Sequence, residues 1–285
     1  MVDYTQIDKL KVQMYSYRSL DSEQAKIVWQ NYRVEESHAS TWLEGNTLTL
    51  SETRVALEQG ITISEKPIKD YLEVVNFSQA LDYMAELATN PDEVFNEQII
   101  KDINRLVYKS TEKPGETAGQ YRDVPVVVGF HTPPAPILVP DLMRSFVEWV
   151  NTDGQKLHSV ELASEIHQRF VTIHPFVNGN GRTARLLMNF QLTKSGYLPI
   201  SIKPDEASRK LYNDTLYMTQ ATENASHEPM NQLVANIVED TLRERVELLS
   251  RYDANFEVNR KEREEREKRL SRFIGKKNSK KDMHR

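Results

Sequence analysis

The amino-acid sequence predicts an all-α fold with one small β-hairpin, and three observations lead to this prediction. The composition, 39% hydrophobic and 28% charged over 285 residues, is typical of a globular protein with a substantial core. Apolar residues recur at intervals of three to four along most of the chain, as they do on one face of a helix. A single β-branched run, within "QYRDVPVVVGFHTPPAP" at 120–136, breaks this pattern and predicts a hairpin followed by an extended, proline-rich loop.

Nine segments have the helical spacing. In chain order they are 22–43, 51–59, 67–88, 94–109, 140–151, 159–173, 181–195, 206–222 and 229–252. The helix at 159–173 presents an apolar face and runs into His174. The next helix begins at about Gly181 and stops at Gly196. A turn rich in polar residues therefore joins two buried helices.

Composition removes several classes of protein. The chain has no cysteine, which excludes disulfides, thiolate metal sites and cysteine nucleophiles. Histidine, carboxylate, hydroxyl and arginine chemistry remain. The chain has no run of eighteen apolar residues, and its first residues lack the pattern of a secretion signal. We therefore expect a cytoplasmic protein that has no membrane partner.

Charge is distributed unevenly along the chain. Residues 259–285 hold twelve Lys and Arg against five Asp and Glu, so the net charge of −5 divides into +7 for this tail and −12 for the remainder. The tail sequence "NRKEREEREKRLSR" mixes Glu and Arg at helical spacing, which favours a solvated helix over a nucleic-acid-binding surface.

The stretch "HPFVNGNGRTAR" at 174–185 has the features of an anion site. Its Gly-Asn-Gly lies at a predicted helix N-terminus, where free backbone N–H groups and the helix dipole favour an anion. Glycines also let a ligand approach the backbone closely. Arg182 and Arg185 project from the same first turn, and guanidinium groups pair bidentately with phosphate oxygens.

His174 stands at the mouth of this predicted anion site, where a neutral imidazole would act as a general base. A lone histidine at a helix end is more often a cap or a buried core group, and Gly-Asn-Gly alone is an ordinary turn. The combination with two arginines favours the functional interpretation.

These residues resemble the signature of the Fic family, His-Pro-Phe-x-x-Gly-Asn-Gly-Arg-x-x-Arg, whose members move nucleoside monophosphate from ATP onto protein hydroxyls. The likeness extends over about 40–245, because "ASTWLEGN" resembles the family's inhibitory-helix motif and "YRDVPVVVGFHTPPAP" its substrate-docking flap. The resemblance implies a Fic-fold helical core with a small β-hairpin flap. We therefore divide the chain into an N-terminal helical region at 1–90 with an inhibitory helix at about 22–45, and a catalytic core at 91–250. A charged C-terminal helix with a basic tail at 251–285 follows from composition and lies outside the resemblance.

The resemblance further implies a protein adenylyltransferase in which His174 deprotonates a Tyr, Thr or Ser hydroxyl of a target protein. The flap residues Val126, Val127 and Val128 would dock the target by strand addition, whereas the alternative for this segment is an ordinary surface hairpin. The implied partners are ATP, the target protein, and the chain itself through auto-modification. The nucleotide-binding residues implied are Gly179, Asn180, Gly181, Arg182, Thr183, Arg185, Val127, Val128, Gly129 and Gln220.

Ser40, Glu44 and Gly45 match the family's inhibitory pattern, Ser/Thr-x-x-x-Glu-Gly/Asn. A glutamate near a helix C-terminus is unfavourably placed against the dipole, so we expect a cationic partner for Glu44. By resemblance that partner is Arg185, and the contact would inhibit transfer. The alternative is an exposed helix-end glutamate followed by a glycine cap.

The sequence departs from the family pattern at Asn178, where most active members carry Asp or Glu that helps to hold Mg²⁺. An amide oxygen can ligate a hard cation but lacks the charge of a carboxylate, so we expect a greater need for Mg²⁺ or a preference for Mn²⁺. Two rival functions stay open: hydrolytic removal of AMP from a protein, with Glu44 positioning water, and a nucleotide-binding module without chemistry. The sequence also leaves open the target, the acceptor hydroxyl and a homo-oligomer.

Overall fold

The structure is a computed structural model that describes residues 2–17, 19–113, 115–129, 131–222 and 225–281. Within these ranges the chain forms ten α-helices and no β-strand, which confirms the predicted all-α fold. None of the helices in these ranges is both long and apolar enough to cross a bilayer. The helices are α1 (Thr5–Ser16), α2 (Ser22–Trp42), α3 (Leu50–Gln59), α4 (Ile68–Thr89), α5 (Glu97–Tyr108), α6 (Val139–Asn151), α7 (Ser159–Ile173), α8 (Asn180–Lys194), α9 (Glu206–Gln220) and α10 (Glu228–Lys281).

All nine predicted helical segments form, and their ends lie within three residues of the predicted ones except at the end of the last segment. α10 continues beyond 252 to Lys281, and its early part carries the i,i+4 ion pairs Glu239–Arg243 and Glu247–Arg251, which support an exposed helix. The sequence prediction missed α1 because this helix buries only Ile7 and Leu10, which is too short an apolar pattern to recognise. Residues 282–285 of the predicted tail lie outside the described residues.

α8 lies at the centre of the fold. Twelve of its fifteen residues are buried, since α2, α4, α5 and α7 pack around it. A helix that neighbours surround in this way has no solvent-facing side, so its polar residues must find partners inside the protein. One apolar cluster beside it contains Phe77, Phe170, Phe176 and Phe190. A second cluster joins the end of α8 to α1 and α10.

The hairpin predicted at 120–136 does not form among the described residues of this segment. The only regular pairing there is an isolated antiparallel bridge between Val128 and His131, with N–O distances of 3.1 and 2.9 Å. The neighbouring chain contains Pro125, Pro133 and Pro134, and proline has no N–H to continue a ladder of hydrogen bonds. Val126 and Val127 therefore lie in irregular chain, and the flap is a loop closed by one bridge.

A glycine in the loop after α5 has no room for a side chain. Gly119 has a φ of +76°, and a Cβ built on it would lie 2.7 Å from the carbonyl oxygen of Lys101 and 2.9 Å from the Cβ of Arg105. Its N–H donates to Oδ1 of Asn104 at 2.9 Å, so the loop is fixed against α5. Gly115 has a similar φ of +87° but nothing within 4 Å of its Cβ position.

We expect Gly119→Ala to lower the free energy of unfolding by about 2–4 kcal/mol, from a left-handed backbone penalty plus a steric clash. Gly115→Ala is the matched control, and its free energy of unfolding should fall only by the backbone penalty, about 1–2 kcal/mol. Urea unfolding of the two variants measures the difference. Equal losses would show that the close approach at Gly119 costs nothing.

Candidate functional site

A tight turn links α7 to α8. His174 ends α7 in the left-handed conformation, with a φ of 50° and its N–H bonded to the carbonyl of Phe170 at 2.9 Å. Gly179 precedes α8 with a φ of +77°, and a Cβ there would come within 3.0 Å of Nδ2 of Asn104. The turn thus reverses the chain over six residues while pressed against α5. This reversal places the imidazole of His174 near the N-terminus of α8.

The side chain of Asn180 closes this turn from within. Its Nδ2 donates to the carbonyl of Phe176 at 2.8 Å, and its Oδ1 accepts from the N–H of Phe176 at 3.0 Å. Phe176 is only 1% exposed and packs against Phe170 and Tyr121. Because the Asn180 amide is used by the turn, the donors here that suit an anion are the backbone N–H groups of the first turn of α8.

Glu44 and Arg185 form an ion pair, so the cationic partner expected for Glu44 is present. The guanidinium of Arg185 is almost fully buried, and its Nη2 lies 2.8 Å from Oε1 of Glu44. Its Nε donates to Oγ of Ser40 at 2.7 Å, and Nη2 also donates to the Ser40 carbonyl at 2.8 Å. Burial raises the pKa of Glu44, but the positive charges of Arg185 and Arg182 more than offset this, so the net pKa is lowered. Glu44 is therefore ionised at neutral pH.

The carboxylate of Glu44 lies directly on the N-terminus of α8. A Cβ built on Gly181 would collide with Oε1 of Glu44, so only glycine permits this approach. The same Cβ position is 3.3 Å from Nη1 of Arg185. A negatively charged oxygen thus occupies the place where the helix dipole and the free N–H groups favour an anion.

Arg182 is the second arginine of the site, and two of its three guanidinium nitrogens make no hydrogen bond to the described residues. Its side chain is 3% exposed, and Nη1 lies 3.4 Å from Oε1 of Glu73. Within the part of the chain that the structure describes, Nε and Nη1 of Arg182 have no hydrogen-bond partner. Buried donors without acceptors are costly, and a phosphate group is the ligand that guanidinium nitrogens bind best. Arg182 is therefore a second, independent sign of an anion-binding site.

His174 has the protonation state of a general base. Burial lowers its pKa to about 4, and the nearby positive charge of Arg122 adds to this effect. The imidazole is therefore neutral at pH 7 and can accept a proton. The negative charge of Glu44 raises the pKa of His174, but by less than burial lowers it.

Arg122, which sequence reasoning missed, fastens the flap to the turn. It is 3% exposed, and its Nε donates to the carbonyl of His174 at 2.8 Å. The two terminal nitrogens donate to carbonyls of Val124 at 3.2 Å and Pro134 at 2.6 Å. The flap is thereby held beside the base even though it lacks strands. No periodic pattern marks an arginine in a loop, so the sequence offered no signal for this role.

Asn178 faces the framework of the turn. Its Oδ1 accepts from the N–H of Gly179 at 2.7 Å, and its carbonyl accepts from Nδ2 of Asn104 at 3.0 Å. Its side chain also hydrogen-bonds to Tyr108, whose hydroxyl donates to Glu116. The described residues include no group of three or more His, Asp or Glu side chains that would hold a metal by themselves. The amide oxygen of Asn178 keeps a second lone pair, which fits one ligand of a cation bound mainly by other oxygens.

The remaining predicted residues divide between the interior and the surface. Thr183 is fully buried, and its Oγ1 accepts from Asn104 at 3.3 Å, so this side chain supports the turn. Gln220, at the end of α9, donates to Oγ1 of Thr172 at 3.3 Å, one residue before the end of α7. Val127 is 74% exposed, and Val128 and Gly129 are also exposed on the flap, whereas Val126 is half-buried.

Asn104 and Glu73 are two further buried polar residues of the site that sequence reasoning missed. Asn104 shares the apolar face of α5 with Ile100, Ile103 and Val107, and Glu73 precedes Val74 on the buried side of α4. A polar residue at a position that the helical period assigns to the core is a signal for an internal partner. The signal exists in the sequence, but it does not identify the partner.

Comparisons with known proteins find one family. Residues 94–192 match the family model described as the Fic/DOC family. The "Protein adenylyltransferase Fic" of Culex quinquefasciatus is 32% identical over 84% of this chain and 46% of its own length. That of Nematostella vectensis is 33% identical over 83% of this chain and 54% of its own length. The chain thus spans about half the length of the curated relatives it matches.

A solved structure has the same fold. A Fic-domain-containing signalling protein from Bacteroides thetaiotaomicron aligns with a TM-score of 0.78 at 28% identity, over 86% of this chain and 98% of that protein. The arrangement of helices around the turn is therefore shared with this protein over nearly its whole length.

The depressed pKa values predict how stability depends on pH. Burial lowers the pKa of His174 to about 4 and that of His167, inside α7, to about 3. In the unfolded chain both histidines have a pKa of about 6.5, so below pH 6.5 the unfolded chain binds more protons than the folded one. The stability that is present above pH 6.5 is therefore lost as the pH falls. We expect His174→Asn, which keeps a residue tolerant of the left-handed conformation, to reduce this dependence between pH 6.5 and 4 by at most about 1.4 kcal/mol per pH unit. Urea unfolding at several pH values measures it, and equal slopes would contradict the buried neutral state.

Proposed function

The chain belongs to the Fic/DOC family, and from this premise we propose that it transfers AMP from ATP to a hydroxyl group of a protein. One observation carries the proposal: the carboxylate of Glu44 lies on the N-terminus of α8, against Gly181 and bonded to Arg185. A helix N-terminus where a buried guanidinium binds a carboxylate oxygen has the charge and the donors that suit phosphate oxygens.

The proposed reaction uses the groups of the turn in order. The neutral imidazole of His174 removes the proton from a Tyr, Thr or Ser hydroxyl of the target, and the hydroxyl oxygen attacks the α-phosphorus of ATP. The bond between the α-phosphorus and the bridging oxygen breaks, and pyrophosphate leaves. The first N–H groups of α8 would stabilise charge on the α-phosphate, while Arg182 and Arg185 would bind the β- and γ-phosphates.

In this proposal Glu44 inhibits the reaction. The buried guanidinium of Arg185 is occupied by Ser40 and Glu44, so the γ-phosphate would have to displace a charged hydrogen bond. Such a bond contributes about 1.5–3 kcal/mol, which corresponds to roughly ten- to a hundredfold suppression. ATP would then bind with its α-phosphorus out of line.

Mg²⁺ or Mn²⁺ is the proposed cofactor, bound mainly by the nucleotide phosphates, with the amide oxygen of Asn178 as a neutral protein ligand. The metal would neutralise phosphate charge when bound. The exposed Val127 and Val128 would contact the target segment. Self-modification and a homo-oligomer belong to the same proposal and need separate tests.

Removal of AMP from a protein is the rival reaction, since the ionised Glu44 lies where it could position water against a phosphorus atom. The two functions predict opposite effects of removing this carboxylate: release of transfer in one case and loss of hydrolysis in the other.

We expect Glu44→Gly to raise incorporation of α-labelled ATP into protein by about ten- to a hundredfold over the unmodified chain, because Arg185 becomes free for the γ-phosphate. Glu44→Gly/His174→Asn should incorporate nothing. Glu65→Gly is the matched control: Glu65 is exposed with a φ of 65°, so glycine fits there and the same charge is lost away from the site. No label with Glu44→Gly, together with release of AMP from a pre-labelled protein by the unmodified chain, would favour the hydrolase.

In the Glu44→Gly background, Asn178→Asp should lower the Mg²⁺ concentration for half-maximal transfer by about tenfold, because a carboxylate adds negative charge to the metal's ligands. Gly179 keeps its acceptor, since a carboxylate oxygen replaces the amide oxygen. A Mg²⁺ titration of label incorporation measures the shift. An unchanged midpoint would show that residue 178 does not contact the metal.

A further inference from the structure

The turn that carries Glu44 is bonded to α2 by main-chain hydrogen bonds, among them the Asn46 N–H to the Thr41 carbonyl at 3.1 Å. This helix ends at Trp42, and Glu44 lies in the turn that follows, where its N–H donates to the carbonyl of Thr41 at 3.0 Å. Its side chain is 36% exposed, in contrast to 2% for its partner Arg185. Ordering this long side chain on Arg185 costs conformational entropy, and a backbone that is already held in place lowers that cost.

Residues of α4 hold that backbone immediately after Glu44. Nδ2 of Asn46 donates to the Asp70 carbonyl at 2.9 Å and to Oε2 of Glu73 at 3.0 Å. The N–H and Oγ1 of Thr47 both donate to Oδ2 of Asp70, at 2.8 and 2.6 Å. Asn46, Asp70 and Glu73 are all more than 90% buried, so these bonds are protected from water.

The same anchor reaches the anion site. Glu73 uses Oε2 for Asn46, while its Oε1 lies 3.4 Å from Nη1 of Arg182. One buried carboxylate therefore contacts both the segment that carries Glu44 and the second arginine of the site. Replacing Glu73 or Asn46 would therefore affect both the segment that carries Glu44 and the side chain of Arg182.

We propose that Asn46, Asp70 and Glu73 form a latch that positions Glu44 on Arg185, so that inhibition depends on α4 as well as on the ion pair. The latch residues are positioning residues and take no part in the chemistry. This inference rests on the proposed function, because it concerns the inhibition of that reaction. The strength of inhibition then depends on hydrogen bonds made by Asn46, two residues after Glu44.

The test compares Asn46→Ala, Glu44→Gly and the double variant by label incorporation from α-labelled ATP. Asn46→Ala should raise incorporation by about tenfold over the unmodified chain, as expected for loss of buried hydrogen bonds that hold the segment. In the Glu44→Gly background the same change should have no effect, since no carboxylate is left to position. Asn213→Ala, an exposed asparagine of α9, is the matched control and should change neither background. An Asn46→Ala variant that incorporates no more label than the unmodified chain, or that loses activity equally in both backgrounds, would overturn the latch.

Hydrogen exchange separates failure of the latch from failure of the proposed function. The N–H groups of Gly45 and Thr47 bond to Trp42 and Asp70, so neither loses its own acceptor in Asn46→Ala. Both should exchange about ten times faster in that variant and at unchanged rates in Asn213→Ala. If Glu44→Gly transfers no label, the proposed function fails and exchange alone decides: faster exchange supports an anchor for Glu44, and unchanged exchange overturns it.

Discussion

The concentration of positive charge at the N-terminus of α8 is the constraint on which the rest of the site depends. Two buried arginines add their charge to the positive end of a helix dipole, in the centre of the protein. Such an arrangement is unstable unless anions are near, and the fold supplies Glu44 from the end of α2 and Glu73 from α4. The helices surrounding α8 thus also provide its counter-charges. A ligand with several negative oxygens would make the same kind of contact with the two arginines as these carboxylates do.

Buried polar side chains hold the main chain of the turn in place. Asn180 satisfies the backbone of Phe176, Asn104 bonds to the carbonyl of Asn178, and Arg122 bonds to the carbonyl of His174. Each of these side chains is bonded to main-chain atoms, so they fix the conformation of the turn. The groups that would meet phosphate are therefore positioned before it arrives, which is what electrostatic stabilisation of a transferring group requires.

Much of the fold follows from local periodicity, and its errors have identifiable causes. Nine helices were predicted because amphipathic spacing persists over several turns in each. The prediction missed α1 because this helix has few buried apolar residues. The predicted hairpin is not shown among the described residues of 120–136, where prolines flank the β-branched run at 126–128. The site was located from one stretch of twelve residues, since glycines, arginines and a histidine in that order have few structural reasons to occur together.

By itself the sequence determined the order of nine helices, the place of the glycine-rich turn and its two arginines at the start of α8, and the need for a cationic partner near Glu44. Only the tertiary structure decided that Arg182 faces Glu73, that Asn180 serves the turn, and that His174 is buried enough to be neutral. The reason is that periodicity reports which face of one helix is buried, whereas these properties arise between segments far apart in the chain. Arg122 and His174 are 52 residues apart, and Asn104 and Asn178 are 74 apart. Burial, which sets the pKa of His174, exists only once these segments have packed together.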